Sequence, residues 1–343
     1  MSVHRRRFLA SAGAVGGAAI GARALWPSGA ARDAAHASTT AAASGGAGHA
    51  HGAHGGAVRR GRVDHAANGF DPQRVLTDFD PGEVERDRAG RPVRQYRFEV
   101  EVKDVEIAPG VVFEAWTYNG RIPGPTIRAI EGDRIRVELV NTSDAPHTVH
   151  FHGMHRFDVD GVPGAGEAAP GETFVYDFEA RPAGTHLYHC HSFPLAEHIN
   201  RGLYGAFVVD PKRPRPVANE MVMVLNGFDI DGDGVNDVYA INGIAYAYDV
   251  DPIVIRAGEL QRVHVVNVTE HDPVSSFHIH GNFFHLFRTG TSELPDEFTD
   301  VVTMGQAERH MLEFAYENAG PYMFHPHQSR AVERGAMGVL DVT

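Results

Sequence analysis

The residues with the most evident chemistry lie together in one stretch, Tyr188-His189-Cys190-His191, followed by His198. Cys190 is the only cysteine of the 343-residue chain, so it cannot form an internal disulfide. A free cysteine is most often a small buried hydrophobe. One thiolate together with two imidazoles is also the ligand set of a blue-copper electron-transfer site. The histidine pattern in the rest of the chain distinguishes these two interpretations.

Histidine pairs separated by one residue recur along the chain. Neutral imidazole is the commonest metal ligand of proteins, and the chain holds 22 histidines. Outside the N-terminal residues 1–68, eight of them form four such pairs: His150 and His152, His189 and His191, His278 and His280, and His325 and His327. Residues two apart on a strand face the same side, so each pair can present two imidazoles to metal. Together the pairs predict an outer cluster for several metal ions.

Successive side chains of a β-strand point to opposite faces, and this alternation predicts a second, inner site. Cys190 lies between His189 and His191, so its side chain points to the opposite face. His147 precedes His150 by three residues and faces the same inner side if the strand is regular. His198 can join them from the following loop. The sequence therefore predicts an inner site of His147, Cys190 and His198.

The two halves of the chain repeat one pattern. Residues 127–142 lead to the first histidine pair, and the similar residues 255–269 lead to the third. Each half then ends in a second pair and a closing apolar run, which indicates internal duplication. Ser275 stands where His147 stands, and Pro326 replaces Cys190. The second copy is therefore predicted to have lost the inner site.

The elements that must position these residues read as short strands. Apolar and polar residues alternate at 96–102, 111–117 and 133–140, and Gly, Pro and Asn clusters separate these runs. This pattern is typical of an all-β chain of sandwich domains. We place the domains at residues 69–215 and 216–343, joined by the proline-rich segment 211–216.

The N-terminal residues have a different composition. Residues 1–31 are typical of a twin-arginine-type export signal, with Arg5, Arg6 and Arg7 before a small apolar run. That run is too short for the alternative, a membrane anchor. Residues 32–68 are rich in Ala, Gly and His and predict a disordered linker. We expect an exported protein, periplasmic, cell-surface or secreted, with no membrane association after signal removal.

Charge and loop chemistry exclude some functions. The net charge of −13 argues against a nucleic-acid partner. The segment from Asp229 to Asp237 resembles the start of a calcium loop, but its twelfth position is Ala240 and its flanks read as strands. This favours a polar hairpin turn over a calcium site.

The histidine pairs and the His-Cys-His stretch resemble the multicopper oxidases, above all their two-domain, laccase-like members. The resemblance covers about residues 94–343 and implies two tandem cupredoxin-like Greek-key β-sandwich domains. It also implies four coppers per chain. A type 1 copper would lie on His147, Cys190 and His198, with Leu203 at the axial position where some members have Met. The type 2 copper would lie on His150 and His278. The remaining ligands, for the type 3 pair, would be His152, His189, His191, His280, His325 and His327.

The same resemblance implies an assembly and a reaction. The chains would form a homotrimer, with the copper cluster between the first domain of one chain and the second domain of the next. Phenolic or similar donors would lose single electrons, which pass through Cys190 to the cluster, where dioxygen is reduced to water. Asp160 resembles the acidic residue near the type 2 copper and is expected to relay protons.

Other functions stay open on the sequence. Copper nitrite reductases are also trimers of two cupredoxin domains, but that family lacks a His at the position of His191 and has Asp at the position of His150. A passive blue-copper electron carrier or a copper-storage protein is an alternative of a different class, but a carrier needs only the inner site, which leaves the pairs unexplained. A cuprous or ferrous oxidase is a variant of the oxidase interpretation, although the eight methionines are scattered rather than clustered.

Overall fold

Two β-sandwiches follow one another along residues 58–343, the part of the chain that the computed structural model describes. The predicted export signal and most of the predicted linker lie outside the described residues. The first sandwich contains β1 (Phe79–Asp80), β2 (Glu83–Arg86), β3 (Pro92–Ala108), β4 (Val111–Tyr118), β5 (Thr126–Ile130), β6 (Arg134–Asn141), β7 (His150–Phe151), β8 (Thr173–Glu179), β9 (Gly184–His189) and β10 (Tyr204–Asp210). The second contains β11 (Asn219–Phe228), β12 (Val238–Ile241), β13 (Ile253–Ile255), β14 (Gln261–Asn267), β15 (Val274–Ile279), β16 (Phe284–Arg288), β17 (Glu297–Thr299), β18 (Val301–Gly305), β19 (Arg309–Phe314), β20 (Gly320–His325) and β21 (Gly338–Val342).

The helices of the described residues are short, none longer than six residues. They are α1 (His65–Asn68), α2 (Pro72–Val75), α3 (Leu195–Asn200), α4 (Ala247–Val250) and α5 (Ser329–Glu333), with one 3₁₀ turn at Phe157–Val159. None of the described helices has the length and apolar character needed to cross a membrane.

The sheets of the first sandwich run in the orders β1-β5-β10-β9-β7 and β2-β3-β6-β8, with β4 also paired to β3. In β6, Ile135, Val137 and Leu139 are fully buried while the alternate residues are partly exposed. This period of two is what a half-buried strand requires. The strands predicted at 96–102, 111–117 and 133–140 lie in β3, β4 and β6, and the all-β prediction is confirmed.

The sheets of the second sandwich run in the orders β12-β11-β14-β19-β16-β17 and β13-β21-β20-β15-β18. Its strand β11 is buried on both faces from Met221 to Phe228. Met221, Met223 and Leu225 face the core of their own sandwich. Val222 and Val224 instead join a second apolar cluster that contains residues of both sandwiches. Each large apolar side chain buried in this way contributes about 1.5–3 kcal/mol, so this interface holds the two sandwiches firmly together.

Backbone hydrogen bonds also cross between the sandwiches. Val222 N–H donates to Leu76 O over 2.9 Å, and Ala245 N–H donates to Ile107 O over 2.8 Å. Thr185 N–H, at the start of β9, donates to Thr289 O over 2.8 Å. The strand that carries His189 is therefore anchored on the other domain.

The predicted linker differs from the structure over its last residues. Asp64 caps α1 by accepting the amide hydrogens of Ala66 and Ala67, each over 3.0 Å. Val63 of the predicted linker is buried in the cluster between the domains, together with Phe70 of the predicted first domain. Two isolated apolar residues give no periodicity, so their burial depends on a surface that only the folded domains provide. The segment 229–237 connects the antiparallel strands β11 and β12, as the predicted hairpin requires.

His310 provides a test of this packing. It faces the interior of the second sandwich, is 2% exposed, and neither of its ring nitrogens has a hydrogen-bond partner among residues 58–343. Burial lowers its pKa to about 4, from an ordinary value of 6.5. The unfolded chain binds the proton more tightly, so this residue makes stability fall as the pH drops from 6.5 towards 4.

In the metal-free protein, we expect His310→Leu to reduce by about 2 kcal/mol the loss of unfolding free energy between pH 7 and pH 4.5. At pH 7 the substitution should change the free energy of unfolding little. Denaturant unfolding at pH 7 and pH 4.5 measures both quantities. His310→Gln is the control, because it removes the titration and keeps a polar side chain. An unchanged difference between the two pH values in His310→Leu would contradict this assignment.

Candidate metal centres

The inner site forms where three separate elements meet. Cys190 directly follows β9, His147 lies in the connection between β6 and β7, and His198 lies in α3. Cys190 Sγ is 3.7 Å from His147 Nδ1 and 3.1 Å from His198 Nδ1. The structure thus brings together the three residues of the predicted inner site. His198 comes from a short helix rather than from the loop that the sequence indicated.

The inner site is closed to water. His147 and Cys190 are 0% exposed and His198 is 2% exposed. Burial lowers the pKa of His147 to about 3, helped by the nearby His198, and lowers the pKa of His198 to about 4. Burial also raises the pKa of the Cys190 thiol. Both imidazoles are therefore neutral at pH 7, and a cation is needed to hold the thiolate form in this site.

Two neighbours define the shape of the inner site. Thr148 N–H donates to Cys190 Sγ over 3.3 Å, and Thr148 Oγ1 accepts the His191 amide hydrogen over 2.7 Å. Leu203 is fully buried in the same core cluster as Cys190, and its carbonyl accepts the Cys190 amide hydrogen over 2.9 Å. The predicted axial residue therefore packs beside the site with a side chain that cannot coordinate.

Four histidines of the first domain form what we call the first half-site: His150, His152, His189 and His191. His150 and His189 are directly opposite each other in the pairing of β7 with β9. His152 Nε2 and His189 Nε2 are 3.1 Å apart, and the ring of His191 lies 5.4 Å from that of His150.

The second domain repeats this arrangement in the second half-site, formed by His278, His280, His325 and His327. His278 and His325 are paired across β15 and β20. His280 Nε2 and His325 Nε2 are 3.0 Å apart, and the His327 ring lies 5.5 Å from that of His278. Ser276 Oγ accepts the His327 amide hydrogen over 2.7 Å, the same contact that Thr148 makes to His191.

Backbone carbonyls orient the rings of both half-sites. His150 Nδ1 donates to Asp160 O over 2.6 Å, and His278 Nδ1 donates to Asp300 O over 2.7 Å. His189 Nδ1 and His325 Nδ1 likewise donate to the carbonyl of the next residue, over 2.8 and 2.7 Å. A carbonyl only accepts, so each of these Nδ1 atoms carries the proton and each Nε2 is left free for metal.

The pKa values in the half-sites favour the neutral, metal-binding form. Burial, and to a smaller extent the nearby His189 ring, lowers the pKa of His152 to about 2. Burial also lowers the pKa of His189 to about 4. Burial also lowers the pKa of His150, His280 and His325. These rings therefore remain available to a metal cation well below pH 7.

The two half-sites do not meet within one chain. Every ring contact of these eight histidines with another member of the set stays inside its own domain, for residues 58–343. His280 and His327 are exposed, and the other six, apart from His189, are partly exposed. Each half-site therefore presents imidazoles to the outside.

Two acidic residues flank the half-sites in the same way. The predicted residue Asp160 has its carboxylate Oδ1 3.4 Å from His150 Nδ1 and 3.6 Å from His155 Nε2. Asp300 Oδ2 lies 3.6 Å from His278 Nδ1. Asp300 and His155 were not among the predicted site residues. The spacing of Asp300 from its pair differs from that of Asp160, so the repeat alone does not reveal it.

The donor sets fit copper. The ligand atoms of His147, Cys190 and His198 lie within 4.8 Å of one another, as do those of three histidines in each half-site. A thiolate with two imidazoles selects copper among soft and borderline ions, and clustered imidazoles suit it as well. In the inner site both imidazoles turn Nδ1 towards Cys190 Sγ, so a copper ion there would take one nitrogen from each ring together with the sulfur.

Comparison with known proteins agrees with this chemistry. Two family models described as multicopper oxidase match residues 99–214 and 216–343. A solved structure described as a multicopper oxidase is 48% identical, with a TM-score of 0.81, and the match covers 82% of this chain and 100% of that chain. The fold is therefore of the cupredoxin-like kind predicted.

More distant relatives carry two kinds of description. The copper-containing nitrite reductase of Neisseria meningitidis serogroup A is 29% identical over 283 residues, which is 76% of this chain and 72% of the relative. The blue copper oxidase of Nitrosomonas europaea is 29% identical, with a TM-score of 0.65, and the match covers 73% of this chain and 86% of that chain.

The inner site predicts a defined spectroscopic change. We expect copper-loaded protein to show an intense visible absorption band from thiolate-to-copper charge transfer, and Cys190→Ser to lose that band completely. Visible absorption and metal analysis of both proteins measure this. Cys190→Ser should retain the copper held by histidines only. A band that persists without this single cysteine would contradict the assignment of the inner site.

Proposed function

The chain belongs to the multicopper oxidase family, and we propose that it is a laccase-like oxidase that takes single electrons from small phenolic or related donors. The acceptor in this proposal is dioxygen, reduced to water by four electrons and four protons. The proposal rests on one observation above all. The chain keeps eight histidines in two matched half-sites beside a single His-Cys-His site, and a mononuclear reaction would leave most of these ligands without use.

The inner site and the two half-sites would have different functions in this reaction. His147, Cys190 and His198 would hold one copper, the type 1 ion, and the two half-sites would together hold three more. Bound copper supplies one-electron chemistry at the first site and dioxygen binding at the cluster. Cys190 is covalently joined to both His189 and His191, and His189 Nδ1 also donates to Cys190 O over 2.8 Å. The chain itself thus provides a short link between the two kinds of site.

Proton supply is assigned to the acidic residues beside the half-sites. Asp160 Oδ1 lies between the rings of His150 and His155, and Asp300 holds the equivalent place beside His278. Both carboxylates are partly exposed, at 30% and 43%, so each can exchange protons with water. We propose that they deliver protons to oxygen atoms reduced at the cluster.

The exposed half-sites require a partner. Each offers only four imidazoles, and the two on one chain have no contact with each other. A head-to-tail contact between copies would place a first half-site against a second half-site at every interface. A ring of three such copies, as the family resemblance implies, would contain three complete clusters.

Copper nitrite reductase is the second candidate, and the similarity to the Neisseria enzyme favours it. That reaction needs one catalytic copper with three histidines. The presence of His191 beside Cys190, and of His150 where that family has Asp, speaks for the oxidase.

Dioxygen uptake separates these candidates. We expect the copper-loaded protein, supplied with hydroquinone, to consume one dioxygen per four donor electrons without releasing peroxide. An oxygen electrode and a peroxide assay measure this, with Cys190→Ser as the inactive control. Anaerobic nitrite consumption, with no dioxygen uptake in air, would instead support the second candidate.

Mixing two inactive variants tests whether the cluster lies between chains. His191→Ala damages the first half-site and His327→Ala damages the second, so each variant alone should be inactive. When equal amounts are co-expressed, about one quarter of the interfaces join two intact half-sites, and about one quarter of the activity should return. Dioxygen uptake per chain measures the recovery.

The control for mixing is a chain that carries both substitutions. Paired with His191→Ala, it can form no intact interface and should stay inactive. If the two single variants also failed to restore activity, although they form mixed oligomers, the cluster between chains would be wrong.

A further inference from the structure

The inner site has no ligand that a donor molecule can touch. His147 and Cys190 are 0% exposed and His198 is 2% exposed. Leu203 and Tyr176, also fully buried, belong to the same core cluster as Cys190. An electron from an outside donor must therefore cross another side chain to reach these residues.

Trp116 occupies the position that such a side chain needs. Its ring centroid lies 4.8 Å from that of His198 and 5.3 Å from that of His147, edge to face in both cases. Its indole is only partly buried. Among residues 58–343, it is the one aromatic side chain other than these histidines themselves that is in ring contact with both imidazoles of the inner site.

Trp116 lies where one face of β4 passes from solvent into the core. Val112 and Glu114 on that face are exposed, Trp116 is partly exposed, and Tyr118 is fully buried. The Arg201 guanidinium covers the indole at 5.6 Å from its centroid. The Trp116 backbone amide donates to Arg201 O over 3.0 Å. The two histidine rings and the Arg201 guanidinium thus pack around an indole that belongs to a partly exposed residue.

The charges beside the indole indicate the kind of donor. Arg201 is paired with Glu114 over 3.1 Å and lies 3.7 Å from Glu197. Glu114 and Glu197 are 60% and 43% exposed, so the surface next to Trp116 has an excess of negative charge. A planar, neutral or cationic aromatic molecule fits a partly exposed indole beside carboxylates better than an anion does.

We propose that Trp116 is the electron-entry residue of the inner site, and that donors are small neutral or cationic aromatic molecules that pack against its solvent-accessible part. One electron leaves the donor and reduces cupric ion in the inner site to cuprous ion, and a phenolic donor releases its proton to water. The indole provides the contact path and is unchanged at the end. This proposal rests on the proposed copper site but not on the fate of dioxygen.

The test is anaerobic reduction of the copper-loaded protein by hydroquinone, followed by the loss of the visible absorption band in a stopped-flow instrument. We expect Trp116→Leu to slow this reduction by about tenfold or more, since a misplaced contact at a reacting centre commonly costs this much. Trp116→Phe should give an intermediate rate. The oxidised spectrum and the reduction potential should stay those of the parent protein.

A second measurement uses the metal-free protein. The chain has two tryptophans, Trp26 and Trp116, so Trp26→Phe leaves Trp116 as the only indole fluorophore. Catechol added to this variant should quench the emission in a saturable manner if aromatic donors stack on the indole. Quenching that rises linearly, as by random collision, would overturn the docking part of the proposal.

Val84→Ala is the matched control for loss of exposed apolar surface, because Val84 is 56% exposed on β2 of the same domain. Its reduction rate should equal that of the parent. Reduction of Trp116→Leu at the parent rate or faster, with an unchanged absorption band, would overturn the proposal. If Trp116→Leu does not fold, Trp116→Phe decides. The reaction is anaerobic, so failure of the oxidase proposal leaves this test intact.

Discussion

The alternation of side chains along one β-strand is the constraint on which both kinds of site depend. At the end of β9, His189 and His191 face outward and Cys190 faces inward, so consecutive residues serve two different sites. The register is held on both edges, because His189 pairs with His150 on β7 and with Tyr204 on β10. A slip of one residue would exchange the inner and outer faces. The thiolate would then leave the dry interior, and the imidazoles would enter it.

The second domain shows which parts of this arrangement are independent. Pro326 replaces Cys190, yet its carbonyl still accepts the Nδ1 hydrogen of His325, as the Cys190 carbonyl does for His189. Ser276 takes the place of Thr148 and makes the same bond to the following histidine. An outer half-site therefore depends on backbone carbonyls and one hydroxyl, not on the thiol. The domain could lose its inner ligands without losing the orientation of its outer ones.

Much of this was predictable from local pattern. Strand alternation, the parity of His189, Cys190 and His191, and the repeat of residues 127–142 at 255–269 need only the order of residues along the chain. The features that were missed depend on contacts between distant segments. The helix that carries His198, the burial of Val63 and Phe70, and the position of Asp300 beside His278 follow from neighbours that become adjacent only after folding. No sequence pattern marks Trp116, because its role depends on contact with the rings of His147 and His198, which are more than thirty residues away in the chain.

The start of β9 joins the first domain to the second. Gly184 approaches Thr289 so closely that a Cβ would lie 2.6 Å from the Thr289 carbonyl, and Thr185 Oγ1 is 2.6 Å from His264 Nδ1 of the other domain. These contacts join the two domains closely at the start of β9. In the proposed head-to-tail ring, each contact between chains would repeat the same rotation. The contacts between the two domains of one chain would then help to set how many chains close the ring, because they fix the angle between its two half-sites.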